Sequence, residues 1–200
     1  MLKRDRTRTG YPGIHLFSVV AILCAIFVAA GMVMPRPAIA ETAAEIDRDV
    51  DSALLKLYAK TPAAKELSKV AKGILVFPDV VKAGLIVGAQ YGKGALRVGG
   101  TTVGYYNTVA GSYGLQAGAQ KFGYALFFLT KSALDYLSKS AGWEIGVGPS
   151  VVVVDAGLAR SLTTTTAKSE IYAFFFDQKG LMAGLGLQGS KITKITLGKK

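Results

Sequence analysis

Gly84-Leu85-Ile86-Val87-Gly88-Ala89-Gln90 is echoed thirty residues later as Gly114-Leu115-Gln116-Ala117-Gly118-Ala119-Gln120, and this degenerate repeat decides the fold class. Both copies set glycine among apolar, strand-forming residues, and Gly146, Gly148, Gly184 and Gly186 continue the pattern further along the chain. Glycine inside a strand marks a tight bend, a bulge or a close approach of two backbones. So many of them predict a strongly curved, barrel-like antiparallel sheet, with glycine where curvature leaves no room for a side chain.

Around the repeat, the predicted strands are Ile74–Phe77 (stopped by Pro78), Leu85–Tyr91, Ala95–Val98, Val103–Asn107, Ser112–Ala119, Tyr124–Leu129, Glu144–Val154, Ile171–Asp177 and Leu181–Gln188. Gly92-Lys93-Gly94 and Gln178-Lys179-Gly180 read as hairpin turns. One helix interrupts the series, with Thr130 capping Lys131–Lys139. Upstream, Ile46, Val50, Ala53, Leu54 and Leu57 recur at helical spacing between Thr42 and Lys60. Thr61-Pro62 then opens a second helix running to Lys72, with Lys65, Lys69 and Lys72 opposite Ala63, Leu67, Val70 and Ala71. The expectation is an α+β domain over residues 41–200, with a helical region at 41–72 and a mainly β region at 73–200 that carries the inserted helix 131–139.

The first forty residues read as a secretory leader. Lys3, Arg4, Arg6 and Arg8 precede an uncharged apolar run from Leu16 to Met34, and Ala38 and Ala40 put small side chains where a signal peptidase cleaves. An exported, periplasmic or envelope protein follows, the alternative being an inner-membrane anchor made by residues 16–34. Lipidation at Cys24 is disfavoured by bulky Leu23 before it. His15 and Cys24 both fall in the leader, so residues 41–200 hold neither histidine nor cysteine, and disulfides, thiolate or histidine catalysis and ordinary zinc sites are excluded.

The chain carries 24 basic and 13 acidic residues, a net charge of +11. Five of the bases and one of the acids lie in the leader, which leaves +7 on the domain. That excess favours anionic surfaces, and outside the cytoplasm acidic lipid is the expected partner rather than nucleic acid. The best binding feature is the basic stripe Lys65, Lys69 and Lys72, reinforced by Lys56, Lys60 and Lys82.

Other motifs carry less. Gly184-Leu185-Gly186-Leu187-Gln188-Gly189 spells a dinucleotide fingerprint, but the eleven residues after it cannot supply the helix and second strand that such a site needs. Asp79, Asp135, Glu144, Asp155, Glu170 and Asp177 are too scattered in sequence to suggest a catalytic carboxylate pair, and Thr163–Thr166 reads as an exposed loop or edge strand. No enzyme, cofactor or metal is expected.

Three blocks resemble the SYLF-domain family, known in its yeast endocytic branch as an actin-binding domain. They are Ala71-Lys72-Gly73-Ile74-Leu75-Val76-Phe77-Pro78 with Lys82-Ala83-Gly84, then Ser112-Tyr113-Gly114-Leu115-Gln116-Ala117-Gly118-Ala119-Gln120, and Lys179-Gly180-Leu181-Met182-Ala183-Gly184. The resemblance implies binding of phosphatidylinositol phosphates and other acidic lipids through a basic N-terminal region, with actin binding in the eukaryotic branch. For an exported bacterial-type member it translates into a non-enzymatic protein that binds acidic lipid of the envelope. The alternative is a protein-partner module with Tyr105, Tyr106 and Trp143 as exposed anchors.

Overall fold

The computed structural model describes residues 41–84, 86–113, 118–180, 187 and 189–197. The leader, its Ala38 and Ala40, the 16–34 anchor alternative and most of the predicted strand 181–188 lie outside them.

Helix α1 (Ala43–Lys60) begins at a capping box, in which the Thr42 hydroxyl accepts from the Glu45 N–H at 3.2 Å and the Glu45 carboxylate accepts from the Thr42 N–H at 2.8 Å. Its buried face is Ile46, Val50, Ala53 and Leu57. Helix α2 (Pro62–Ser68) starts on proline as predicted but ends four residues short of Lys72. The reason is that the Lys72 N–H donates to the Phe128 carbonyl at 2.7 Å, which draws the chain into the sheet.

Eight strands follow the order β5-β8-β3-β2-β1-β4-β7-β6, where β1 is Gly73–Gly84, β2 Val87–Val98, β3 Thr101–Tyr113, β4 Gly118–Phe128, β5 Trp143–Glu144, β6 Val151–Val154, β7 Ile171–Gly180 and β8 Lys191–Ile195. The sheet is strongly curved and stays open as a half-barrel, with β5 and β6 at its edges. Helix α3 (Lys131–Lys139) has the predicted bounds and its Thr130 cap. A further helix, α4 (Ala156–Ser161), was not expected. It forms the crossover between β6 and β7, which therefore pair in parallel and make the sheet mixed rather than purely antiparallel.

Both predicted hairpin turns prove to be strand. Gly92-Lys93-Gly94 lies inside β2, and β1 runs on past Pro78 to Gly84. A bulge between Val76 and Asp79 absorbs the proline, which has no N–H for the ladder. Gly94 sits opposite that bulge, where a Cβ would collide with the Val76 carbonyl oxygen. Gln178-Lys179-Gly180 completes β7 in the same way. The turn between β2 and β3 is instead Gly99-Gly100, with φ of 57° and 83°, values that suit a tight hairpin.

Residues 41–200 form one unit with apolar packing on both sides of the sheet. On one side α1, α2 and Leu162 cover Ile74, Val76, Ala95, Phe127 and Phe174. On the other, Ala133, Leu137, Trp143 and Ile145 cover Leu75, Phe77, Leu96, Leu126 and Phe128. Burial on both sides is why Ile74–Phe77 reads as an unbroken apolar run. Arg97 of β2 fastens α1 to the sheet, donating to the Asp51 carboxylate at 2.6 Å and the Asp47 carbonyl at 3.1 Å.

Candidate functional site

Helix α1 divides its charge along its length. Its first turns carry Glu45, Asp47, Asp49 and Asp51, and Asp47 accepts from the Thr102 hydroxyl at 2.7 Å and the Tyr105 hydroxyl at 2.9 Å. Its last turns carry Lys56 and Lys60. Both are exposed and both reach Asp177 of β7, at 3.6 Å and 3.1 Å. Asp177 occupies a bulge of β7 with φ of 50°, a left-handed conformation that aspartate tolerates better than most residues. The hydrogen bond from Lys60, reinforced by the charges of both lysines, holds its carboxyl below the usual carboxylate range.

The remaining candidate lysines fall into different settings. Lys69 is bound to Glu66 at 2.7 Å, a spacing of three residues that the sequence displays. Lys65 is exposed on α2, Lys72 is exposed in the bend before β1, and among the described residues neither forms an ion pair. Because α2 ends at Ser68, the expected helical stripe of Lys65, Lys69 and Lys72 is not one helix face. Lys82 does not join the group. It is half-buried on β1, paired across strands with Gln90 and Gln120 on the side of the sheet opposite α1 and α2. The basic region thus comprises five lysines, with Asp177 and Glu66 as their carboxylate partners. Leu55 of α1 is 71% exposed beside Lys56, and Val70 is exposed beside Lys69.

The acids are less scattered in space than in sequence. Asp79 and Asp177 line a small cleft of about 120 Å³ together with Asp49 and Lys56. Asp79 is bound by Lys121 at 2.9 Å. With Asp177 pulled below its ordinary range, the cleft has the opposite of the raised carboxyl that a general acid requires. Asp155 caps α4 through the Leu158 N–H at 2.7 Å, and Asp135 is bound to Lys131 at 2.6 Å. Thr163–Thr166 is an exposed turn, and strand β8 rather than a helix follows Gly189.

The aromatic anchors are corrected. Trp143 is 1% exposed, its indole N–H donating to the Val147 carbonyl at 2.9 Å and its ring packed against Phe128. Tyr106 is 2% exposed, and Tyr105 spends its hydroxyl on Asp47. Alternation turns Trp143 and Tyr106 into the core, so they offer no interface, while Tyr105, on the other side of β3, is half-buried against the helical side of the sheet. Among the described residues, the exposed aromatics are Tyr91 and Tyr136.

Fold and surface together define a class: an α+β half-barrel whose distinctive feature is segregated surface charge rather than a cleft of reactive groups. A family model described as Ysc84, Las17-binding protein actin regulator, matches residues 109–196. Over that span the chain is similar to the SYLF-domain family, a family of binding domains associated with lipid and actin rather than of enzymes. No curated protein matches the chain. The matched span runs from the middle of β3 to β8, so all six candidate lysines precede it.

Proposed function

We propose that this chain is a non-enzymatic lipid-binding protein of the bacterial cell envelope, exported by a leader cleaved after Ala40, which meets acidic lipid through the basic region of its N-terminal helices. The observation that supports it is that Lys56, Lys60, Lys65, Lys69 and Lys72 are all exposed, with Leu55 exposed next to Lys56 and Val70 next to Lys69. Ammonium groups with apolar side chains between them suit an anionic headgroup layer, where each lysine contributes about 1 kcal/mol. The pairings with Asp177 and Glu66 are exposed ion pairs worth about 0–1 kcal/mol, weak enough to be exchanged for headgroups. Las17 and actin, named by the family description, are not partners that an exported protein would meet, whereas acidic lipid is.

Co-sedimentation of the exported protein, processed after Ala40, with vesicles tests this reading. Binding should be tighter to vesicles containing phosphatidylglycerol than to pure phosphatidylcholine, and should weaken as the screening length contracts from about 10 Å at 0.1 M salt to about 3 Å at 1 M. Replacing both unpaired lysines, Lys65→Gln with Lys72→Gln, should weaken it about 30-fold, the equivalent of two headgroup contacts. Equal binding to both vesicles, or an affinity unmoved by salt and by the double variant, overturns the mechanism. The mass of the protein recovered from the envelope checks the cleavage.

A further inference from the structure

One row of directly paired residues crosses six strands on the side of the sheet that carries α1, reading Lys191–Val109–Tyr91–Val81–Lys121–Lys179 from β8 to β7. Paired residues project to the same side. Here they project into solvent, since Val109 is 44% exposed, Tyr91 48% and Val81 51%, beyond the reach of the helices that cover the rest of this side. Their neighbours one residue along, Val80, Phe122, Thr108 and Ile192, are buried on the opposite side, so the exposure is the strict alternation of a half-covered sheet rather than fraying. Towards the β1–β2 hairpin the surface stays apolar, through the exposed Ile86 and Val87.

Three features say what such a surface meets. Three apolar side chains in the middle of the row have lysines at both ends, the composition of an interfacial membrane contact. Lys121 and Lys179 are placed directly opposite each other, a like-charge pairing that costs stability unless an anion lies between or above it. Among the described residues neither Lys179 nor Lys191 forms an ion pair, and Lys121 has only the exposed Asp79. Finally, Lys56 shares a cleft with Asp79 and Asp177, so the basic end of α1 adjoins the Lys121 end of the row on the same side of the sheet.

We propose that this row is a second membrane-contacting surface, on which Val81, Tyr91 and Val109 enter the headgroup boundary of an anionic bilayer while Lys121, Lys179 and Lys191 hold its phosphates. The proposal rests on the lipid-binding reading above and deepens it. The helices supply salt-sensitive attraction, and the row adds an apolar, salt-resistant component.

The test places an environment-sensitive NBD label at single cysteines in the processed protein, whose residues 41–200 hold no native thiol. The labelled positions are Tyr91→Cys on the row, Leu55→Cys on α1, and Val153→Cys on the edge strand β6 as a control. With phosphatidylglycerol-containing vesicles, the label at position 91 should brighten and shift to the blue, and the label at 153 should not. The unlabelled pair Tyr91→Ser with Val109→Ser, which leaves every charge in place, should bind these vesicles about tenfold more weakly and retain the salt dependence. A response at 55 with none at 91 overturns the second surface and leaves the helix reading standing; silence at both overturns both. A shift at 91 already present without vesicles, growing with protein concentration, would mean that a second copy of the chain covers this row, and also overturns the proposal.

Discussion

At Asp177 the backbone enters the left-handed region, and that single turn aims a carboxylate from the sheet at two lysines of α1. Because its folded pKa is depressed, the pairing contributes above the ordinary carboxylate value of 3.8 and is lost as pH falls through and below it. Asparagine tolerates the same φ without the charge. Asp177→Asn should therefore leave the urea midpoint nearly unchanged while freeing Lys56 and Lys60, and should tighten binding to anionic vesicles about five-fold, the equivalent of one more effective lysine. Tyr124 is the opposite kind of residue. It is fully buried, its hydroxyl pushed up by desolvation and donating to the Thr108 hydroxyl at 2.8 Å. Tyr124→Phe should cost about 1–3 kcal/mol in urea unfolding by stranding Thr108, and adding Thr108→Val should restore much of the loss.

For the elements, legibility followed periodicity. The amphipathic spacing of α1 and α3 was visible because one face of each is buried and the other wet, and the structure places α1 at Ala43–Lys60 and α3 at Lys131–Lys139. The strands were visible as apolar or β-branched runs, but their ends were not. Glycine and proline signal a turn and a bulge alike, and only the partner strand distinguishes the two. Thus Gly92-Lys93-Gly94 reads as a hairpin until β1 is seen bulging at Pro78 directly opposite. Gly94→Ala should consequently destabilise the domain by about 3 kcal/mol or more, because its Cβ would collide with backbone that cannot move aside. Gly111→Ala, with open space around its Cβ, should change stability by less than about 1 kcal/mol in the same denaturant titration. Helix α4 is not legible in the sequence because six residues hold too little periodicity, although Asp155 before Ala156 is a legible cap.

Across the whole molecule, the basic end of α1 and the exposed row adjoin on one side of the half-barrel. Composition and local pattern were enough to determine an α+β class, a glycine-curved sheet, a basic surplus and a domain without histidine or cysteine, because each depends on residue type and near-neighbour spacing alone. Which lysines stand free, which are held by Asp177, why Lys82 faces away from the helices and why Trp143 is core were decided by strand register. Register couples residues far apart in the chain, here Lys60 with Asp177 and Val81 with Tyr91, and a shift of one residue would exchange the two sides of the sheet. Local sequence carries no record of that pairing, so the membrane-facing row became visible only once six strands had been laid side by side.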